Sequence, residues 1–455
     1  MGLIMSATIQ TANGGGPRLT RSLGLWDLVF IGIILVQPTA PMPLFGVVQN
    51  NAGGHVVTTI LIAMVAMLFT AISYGRMARA YPSAGSAYTY VGQEIHPALG
   101  YATGWSMLMD YVLNPVICTI WCAKAAQNIL PVPYWLWAAF FALLFTFMNL
   151  RRIRATARIN EVLTIAMGIV IVAMLVCTAR YVVGLPHLDG SFFTRPFYDP
   201  RTFAWQRIAT GTSLAVLTYI GFDGISTLSE EVENPRRNIL VATVLICLII
   251  GVLSAVEVYA AQLVQPGTEK FSAQDVESAY AHVAGRVGGV WLFHAINLTL
   301  IVATIGSGAG AQLSGARLLY GMGRDNAIPK RLFGAIDQKK NIPANNVIII
   351  GVLAFGVALL ITYETGAALL NFGALIGFMG VNVAAFLRYF VRADEKRLTH
   401  FFPPLLGALI CLGIWLSLET PAKIVGGVWL VLGIGYGAWK TNGFRRSIQF
   451  EAPPE

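Results

Sequence analysis

Gln37-Pro38-Thr39-Ala40-Pro41-Met42-Pro43 interrupts an uncharged run that extends from Leu28 to Gly75, and Tyr219-Ile220-Gly221-Phe222-Asp223-Gly224 interrupts the apolar segment from Ile208 to Leu228. In hydrocarbon an unpaired backbone N–H or C=O costs several kcal/mol, so unwound backbone persists at membrane depth only where it lines a cavity or a binding site. Interruptions at corresponding places in two halves of a chain are the sequence pattern of a membrane transporter's substrate site.

The composition agrees with that setting. Apolar residues make up 56% of the chain and charged residues only 12%, against roughly 25% charged in a soluble domain. Apolar segments of about 20 residues, the length that crosses a ~30 Å core, fall near 26–49, 57–77, 98–127, 133–150, 160–183, 206–228, 238–264, 288–320, 344–363, 366–391, 400–418 and 421–440. Twelve transmembrane helices in one all-α domain, 26–440, are therefore expected. Short polar tails flank it at 1–25 and 441–455, and residues 1–25 lack the apolar core of a cleavable signal.

The net charge of +9 reads as topology rather than as a nucleic-acid surface. With the N-terminus inside, the inner loops collect most of the basic residues, among them Arg76, Arg79, Arg151, Arg152, Arg154, Arg236, Arg237, Lys339, Lys340, Arg388 and Arg392. That bias places both termini in the cytoplasm and the chain in the cytoplasmic membrane as a multi-pass protein. Contact with membrane lipid follows, and a patch for anionic lipid is the alternative use of the charge. The five cysteines all fall within expected spans, and no His or carboxylate partner has metal spacing, so no metal site and no cofactor are expected. No nucleophile with a base and no phosphate loop is present, which argues against an enzyme; Gly14-Gly15-Gly16-Pro17 has no preceding strand.

Division near Trp205 gives five spans in each part, 26–204 and 205–391, and two further spans in 400–440. Each part then opens on an interrupted span, and since five is odd the two parts have opposite orientations in the membrane. Inverted repeats of this kind give alternating access about a midplane site.

Particular residues carry the chemistry. Pro38, Pro41 and Pro43 lack N–H groups and clash with the preceding turn, so three in six residues open the helix and free carbonyls for a substrate ammonium or a cation. A kink healed by neighbouring helices is the alternative. Gly221 and Gly224 relax the backbone around Asp223, an ionisable residue at a depth where such residues mark functional sites, or else a structural acid that caps free N–H groups. In the third span Asp110 and Asn114 share a helix face, while Tyr111 projects elsewhere to meet an organic cation or simply to pack. Gly306-Ser307-Gly308-Ala309-Gly310-Ala311 suits close helix packing, with Ser307 and Gln312 placed to face a cavity. Lys124, Glu161 and Glu257 lie near span ends, where long side chains snorkel. His294 lies inside a span and reads as a core residue.

Three passages bear a resemblance to a known family: Ala71-Ile72-Ser73-Tyr74-Gly75-Arg76 followed by Tyr81-Pro82-Ser83-Ala84-Gly85-Ser86-Ala87-Tyr88-Thr89-Tyr90; Gly221-Phe222-Asp223 with Thr227-Leu228-Ser229-Glu230-Glu231; and Ser314-Gly315-Ala316-Arg317-Leu318-Leu319-Tyr320-Gly321-Met322-Gly323-Arg324-Asp325. Together with span order, they resemble the amino acid-polyamine-organocation transporter superfamily, most closely its bacterial putrescine-importer-like branch. The resemblance implies a LeuT-type fold with spans 1 and 6 unwound, and substrate held between spans one, three, six, eight and ten. It also implies uptake driven by a proton or by exchange. Members that take amino acids hold the α-carboxylate on a glycine-rich segment of span one; here Gln37 to Pro41 offers fewer donors. Putrescine-importer-like relatives carry an acid after that segment, and here the stretch reads Met42-Pro43-Leu44. Some proton-coupled relatives place a lysine in span five, and this chain has none between Glu161 and Arg180.

The sequence therefore predicts a secondary transporter that imports a small organic amine or amino acid. Substrate is expected against Gln37, Thr39, Ala40 and Met42 of span one and Tyr219, Gly221, Phe222 and Asp223 of span six. Tyr111, Asn114 and Ser307 complete the site, and Asp110 and Asp223 are the expected proton carriers. An obligate exchanger is the alternative, and a channel or a non-transporting sensor on the same scaffold stands behind it.

Overall fold

A computed structural model describes residues 23–444 apart from 83–84, 128, 152–156, 187–188, 230–231, 268, 273–274 and 338–341, and apart from the side chains of 157–163. The tails 1–22 and 445–455, Ser83, Ala84, Glu230, Glu231, the inner-loop Arg152, Arg154, Lys339 and Lys340, and the side chain of Glu161 lie outside the described residues.

Among the described residues the regular structure is helical, with two isolated β-bridges, Leu23 with Val232 and Asp337 with Ile342. Its helices are α1 Leu25–Val36, α2 Pro41–Ala52, α3 Val56–Ala80, α4 Ser86–Glu94, α5 Pro97–Gln127, α6 Tyr134–Leu150, α7 Ala157–Val183 and α8 Trp205–Ala215. There follow α9 Pro235–Val264, α10 Ala279–Gly288, α11 Val290–Arg324, α12 Lys330–Phe333, α13 Ala344–Ala358, α14 Tyr363–Phe386, α15 Leu398–Leu416 and α16 Thr420–Lys440. Among the described residues nine helical segments are long and apolar enough to cross a membrane, and α1 with α2, bent by 49°, makes a tenth. Helices α6 and α13 are apolar but only 17 and 15 residues long. At 1.5 Å per residue they fall short of a ~30 Å core, so length alone supports ten crossings where the sequence led us to expect twelve.

The expected interruptions have a local cause. Helix α1 makes its last regular bond from the Gln37 N–H to the Ile33 carbonyl, 2.9 Å, and Gln37 then takes φ 72°, a left-handed value that breaks the ladder. Pro41 opens α2 at a helix position where a missing N–H does no harm. In the second half α8 tightens into 3-10 turns at Val216–Tyr219 and Phe222–Leu228, separated at Gly221 with φ 118°. The two interruptions lie against each other: a Cβ on Gly221 would stand 3.3 Å from the Leu35 carbonyl oxygen.

Helix α5 is the centre of the bundle and packs on α14, α11, α6, α13 and α4. Small residues permit these approaches, as where a Cβ on Gly373 would meet the Ser106 carbonyl oxygen at 2.5 Å and one on Gly308 would meet the Phe145 ring at 2.7 Å. Helix α16 is fixed to α5 by Trp105 and Trp429, whose rings stack at 4.9 Å and whose indole N–H groups each donate to the other's backbone carbonyl. Two helices unforeseen from the sequence, α4 and α10, lie across opposite ends of the bundle. His294 is exposed on α11 rather than in the core.

Candidate functional site

A cavity of about 50 Å³ opens between the two interruptions and is lined by Val36, Gln37, Ala40 and Pro43 from the first, Leu217 and Ile220 from the second, and Asn114, Ile117, Cys118 and Trp121 from α5. Thr304, Ser307 and Tyr363 complete the wall. This volume accommodates a few waters, so the site is narrow in this conformation. Of the expected residues, Gln37, Ala40, Asn114 and Ser307 line it. Ser307 donates to the Leu35 carbonyl at 2.9 Å, which satisfies one acceptor freed where α1 ends. Gln37 Oε1 lies 3.4 Å from the Thr304 hydroxyl, and Cys118 donates to Asn114 Oδ1 at 3.4 Å.

The other expected residues sit around the cavity without lining it. Thr39 and Met42 are buried against neighbouring helices. The Tyr219 hydroxyl donates to the Ile60 carbonyl, 2.9 Å, and so is turned toward α3. Phe222 packs between Tyr74 and Phe378 at ring separations of 5.6 and 5.4 Å. Tyr111 donates to Asp223 Oδ2 at 2.6 Å, and Asp223 Oδ1 receives the Gly221 N–H at 3.3 Å. Asp223 thus accepts from the relaxed backbone, as in the alternative reading of it as a cap, with a tyrosine as second donor. Asp110, one turn below Asn114, is 1% exposed, lies within electrostatic range of Asp223, and has no hydrogen-bond partner for either oxygen among the described residues.

Cys118 and Trp121 were not singled out from the sequence, although they recur four and seven residues after Asn114 and so share its helix face. Thr304 likewise stands one turn before Ser307. Helical spacing was the available signal. Tyr363 came from a distant span and had none. A wider cleft at α10 and the start of α11 includes no residue of either interruption.

Side chains pack together at both ends of the bundle, beyond the cavity. Toward α4, Tyr74, Tyr90, Phe222 and Phe378 pack edge to face, and Ser86 and Ser226 hydrogen-bond at 2.7 Å. Beyond them the buried Glu94 carboxylate meets Arg388 at 2.9 Å, Arg392 at 2.6 Å and the Tyr81 hydroxyl at 2.8 Å, joining α4 to the π-helical turn Leu387–Val391. Burial first, and then the bond to Glu94, push the Tyr81 hydroxyl up to about 12. Toward α10, Lys124 forms an ion pair of 2.7 Å with Glu277, and Asn51 donates to Glu364 at 2.9 Å. Lys124, near a span end as the sequence suggests, is half-exposed and has Glu277 as its partner.

Comparison with known proteins settles what kind of molecule holds this cavity. Residues 23–445 match the amino acid permease family. The chain belongs to that family. The permease is 34% identical over 451 residues to the low-affinity putrescine importer PlaP of Escherichia coli, an alignment that covers 97% of this chain and 98% of the relative. It is 26% identical to the branched-chain amino acid permease BcaP of Lactococcus lactis, covering 95% and 97%, and 25% identical to the methylthioribose transporter of Bacillus subtilis, covering 93% and 94%. The permease is thus a multi-pass membrane transporter and not an enzyme.

Tyr111→Phe removes the side-chain donor from a buried carboxylate, which costs about 1–3 kcal/mol. A lowered melting temperature of the purified permease is the expected result; an unchanged melting curve would show that Tyr111 merely packs.

Proposed function

We propose that the permease imports a small organic amine that presents no carboxylate to span one, by alternating access about the cavity between the two interruptions. The observation that carries this is the start of α2. A helix N-terminus ordinarily offers free N–H groups to an anion, but Pro41 and Pro43 have none, and the Met42 N–H is taken by the Thr39 carbonyl at 3.1 Å. The two prolines remove donors without removing any acceptor, a balance that favours an ammonium over a carboxylate. The putrescine importer among the relatives supports an amine, and since no carboxylate lines the cavity among the described residues, carbonyl, amide and aromatic groups are its partners.

In this reading α6 and α13 complete twelve crossings, tilted or locally thinning the bilayer to suit their length. Residues 26–204 and 205–391 form the two inverted repeats, 400–440 supplies two further helices, and 1–25 and 441–455 are cytoplasmic tails. In the same reading the α4 end faces the cytoplasm and the α10 end the outside, which the basic inner loops support. Thr39, Met42, Tyr219, Gly221 and Phe222 act from behind the wall, where they set the shape of the two interruptions. The pair Asp110 and Asp223 carries a proton: both are buried, and Asp110 has no hydrogen-bond partner for either oxygen among the described residues.

Counterflow in proteoliposomes tests the substrate class. Putrescine and simple monoamines are expected to compete for uptake while leucine and arginine do not; competition by the amino acids alone would overturn the reading, and uptake only into preloaded vesicles would identify an exchanger. For the carriers, Asp110→Asn is expected to abolish the response of uptake to an imposed pH gradient. If Asp110→Asn and Asp223→Asn each kept the full response, the proton would be carried elsewhere.

A further inference from the structure

Glu257 is the buried acid this account leaves unused. It lies in α9, seven residues before the end of the helix, is 0% exposed, and has no hydrogen-bond partner for either carboxylate oxygen among the described residues. Its position near a span end suggests a side chain that reaches water, yet helix α10 covers it. One turn earlier, Ser254 is equally buried with its hydroxyl unpartnered. A carboxylate stripped of water and of partners is tolerated only as the neutral acid, so this closed arrangement accommodates Glu257 with its proton on.

What covers Glu257 also packs on α2, the helix whose start lines the cavity. The Tyr280 hydroxyl of α10 lies 3.4 Å from the Glu257 carbonyl oxygen, and the same ring meets Phe45 of α2 edge-on at 5.8 Å. Next to Phe45, Gly46 is pressed so closely on the segment before α10 that a Cβ there would collide with the Val276 carbonyl oxygen. Two residues before Phe45, Pro43 lines the cavity. Helix α2, which begins at the cavity wall with Pro43 and carries Phe45, is thus linked through Tyr280 of α10 to Glu257 of α9.

Tyr280 is the titratable side chain set against Glu257. The other groups near this end of the helices around α9 are engaged elsewhere. His55 bridges the Ala52 carbonyl and the Asp199 N–H, Tyr219 bonds Ile60, His282 faces Ser278 and Phe293, and Arg286 bonds Gln265. Arg180 and Tyr181 of α7 are exposed.

We propose that Glu257 is a protonation site that must be filled for the α10 end to close. When α2 and α10 part, water reaches the carboxylate and it ionises; closure returns it to an apolar setting and requires it to take a proton from that water. The sign follows: closing binds a proton, so raising the pH favours the open form. The inference rests on the alternating access proposed above.

The test uses Val283, buried in α10, as a reporter in the full-length permease in proteoliposomes. Val283→Cys is labelled with an impermeant maleimide across a pH series, alone and combined with Glu257→Gln or Glu257→Asp, with protein lacking the reporter as the background for the native cysteines. Dividing by the Glu257→Gln rate at each pH cancels the titration of the thiol itself. The ratio is expected to rise with pH, by at most about tenfold per unit for one linked proton, and Glu257→Asp is expected to keep the rise. Identical pH profiles with and without Glu257→Gln, or a ratio that falls, would overturn the proposal. A reporter that is never labelled at any pH in any background would overturn alternating access at this end, and the proposal with it.

Discussion

Backbone groups released from a helix inside a membrane must find partners within the protein, and the arrangement of this permease follows from how two such releases are satisfied. Where α1 ends, the Leu35 carbonyl is taken by Ser307 from α11. Where the second interruption turns at Gly221, its N–H is taken by Asp223, itself held by Tyr111 from α5. These bonds draw α5 and α11 onto the interruptions and leave a cavity where the four meet. An apolar substitute for either partner would leave a freed group unsatisfied at membrane depth.

The two ends of the bundle are held by different chemistry. The α4 end combines an aromatic seal with Glu94, whose carboxylate takes two arginines and a tyrosine and is thereby compensated for its burial. The α10 end relies on Lys124 with Glu277, on Asn51 with Glu364, and on helix α10 laid over Glu257. Ion pairs that join elements across a cavity suit a molecule that opens one end at a time, since each is broken or formed as a unit.

Much of this was legible in the sequence because proline and glycine act locally. Pro38, Pro41, Pro43 and Gly221 identify the interruptions without reference to anything distant, and Asn114 and Ser307 follow from depth and polarity. Glu94 could not be read in the same way: its partner Arg388 is 294 residues away, and a surface arginine looks the same whether it marks topology or closes a latch. Glu257 was misjudged because nearness to a span end says nothing of what covers it, and α10 is a ten-residue helix in a loop. Asp223 illustrates a reading that stayed open, since depth alone did not separate a structural cap from a functional acid, and the Tyr111 bond shows that capping is part of its role.

The central claim is that substrate occupies the cavity between the two interruptions. Cys118 supplies a native probe, since its thiol lines that cavity while Cys247 and Cys411 are buried elsewhere. The decisive measurement is the alkylation rate of each cysteine, followed by mass spectrometry, with and without an amine that drives counterflow. The account predicts that the amine selectively protects Cys118 and leaves the others unchanged. Saturating amine that leaves the Cys118 rate unaltered would contradict it.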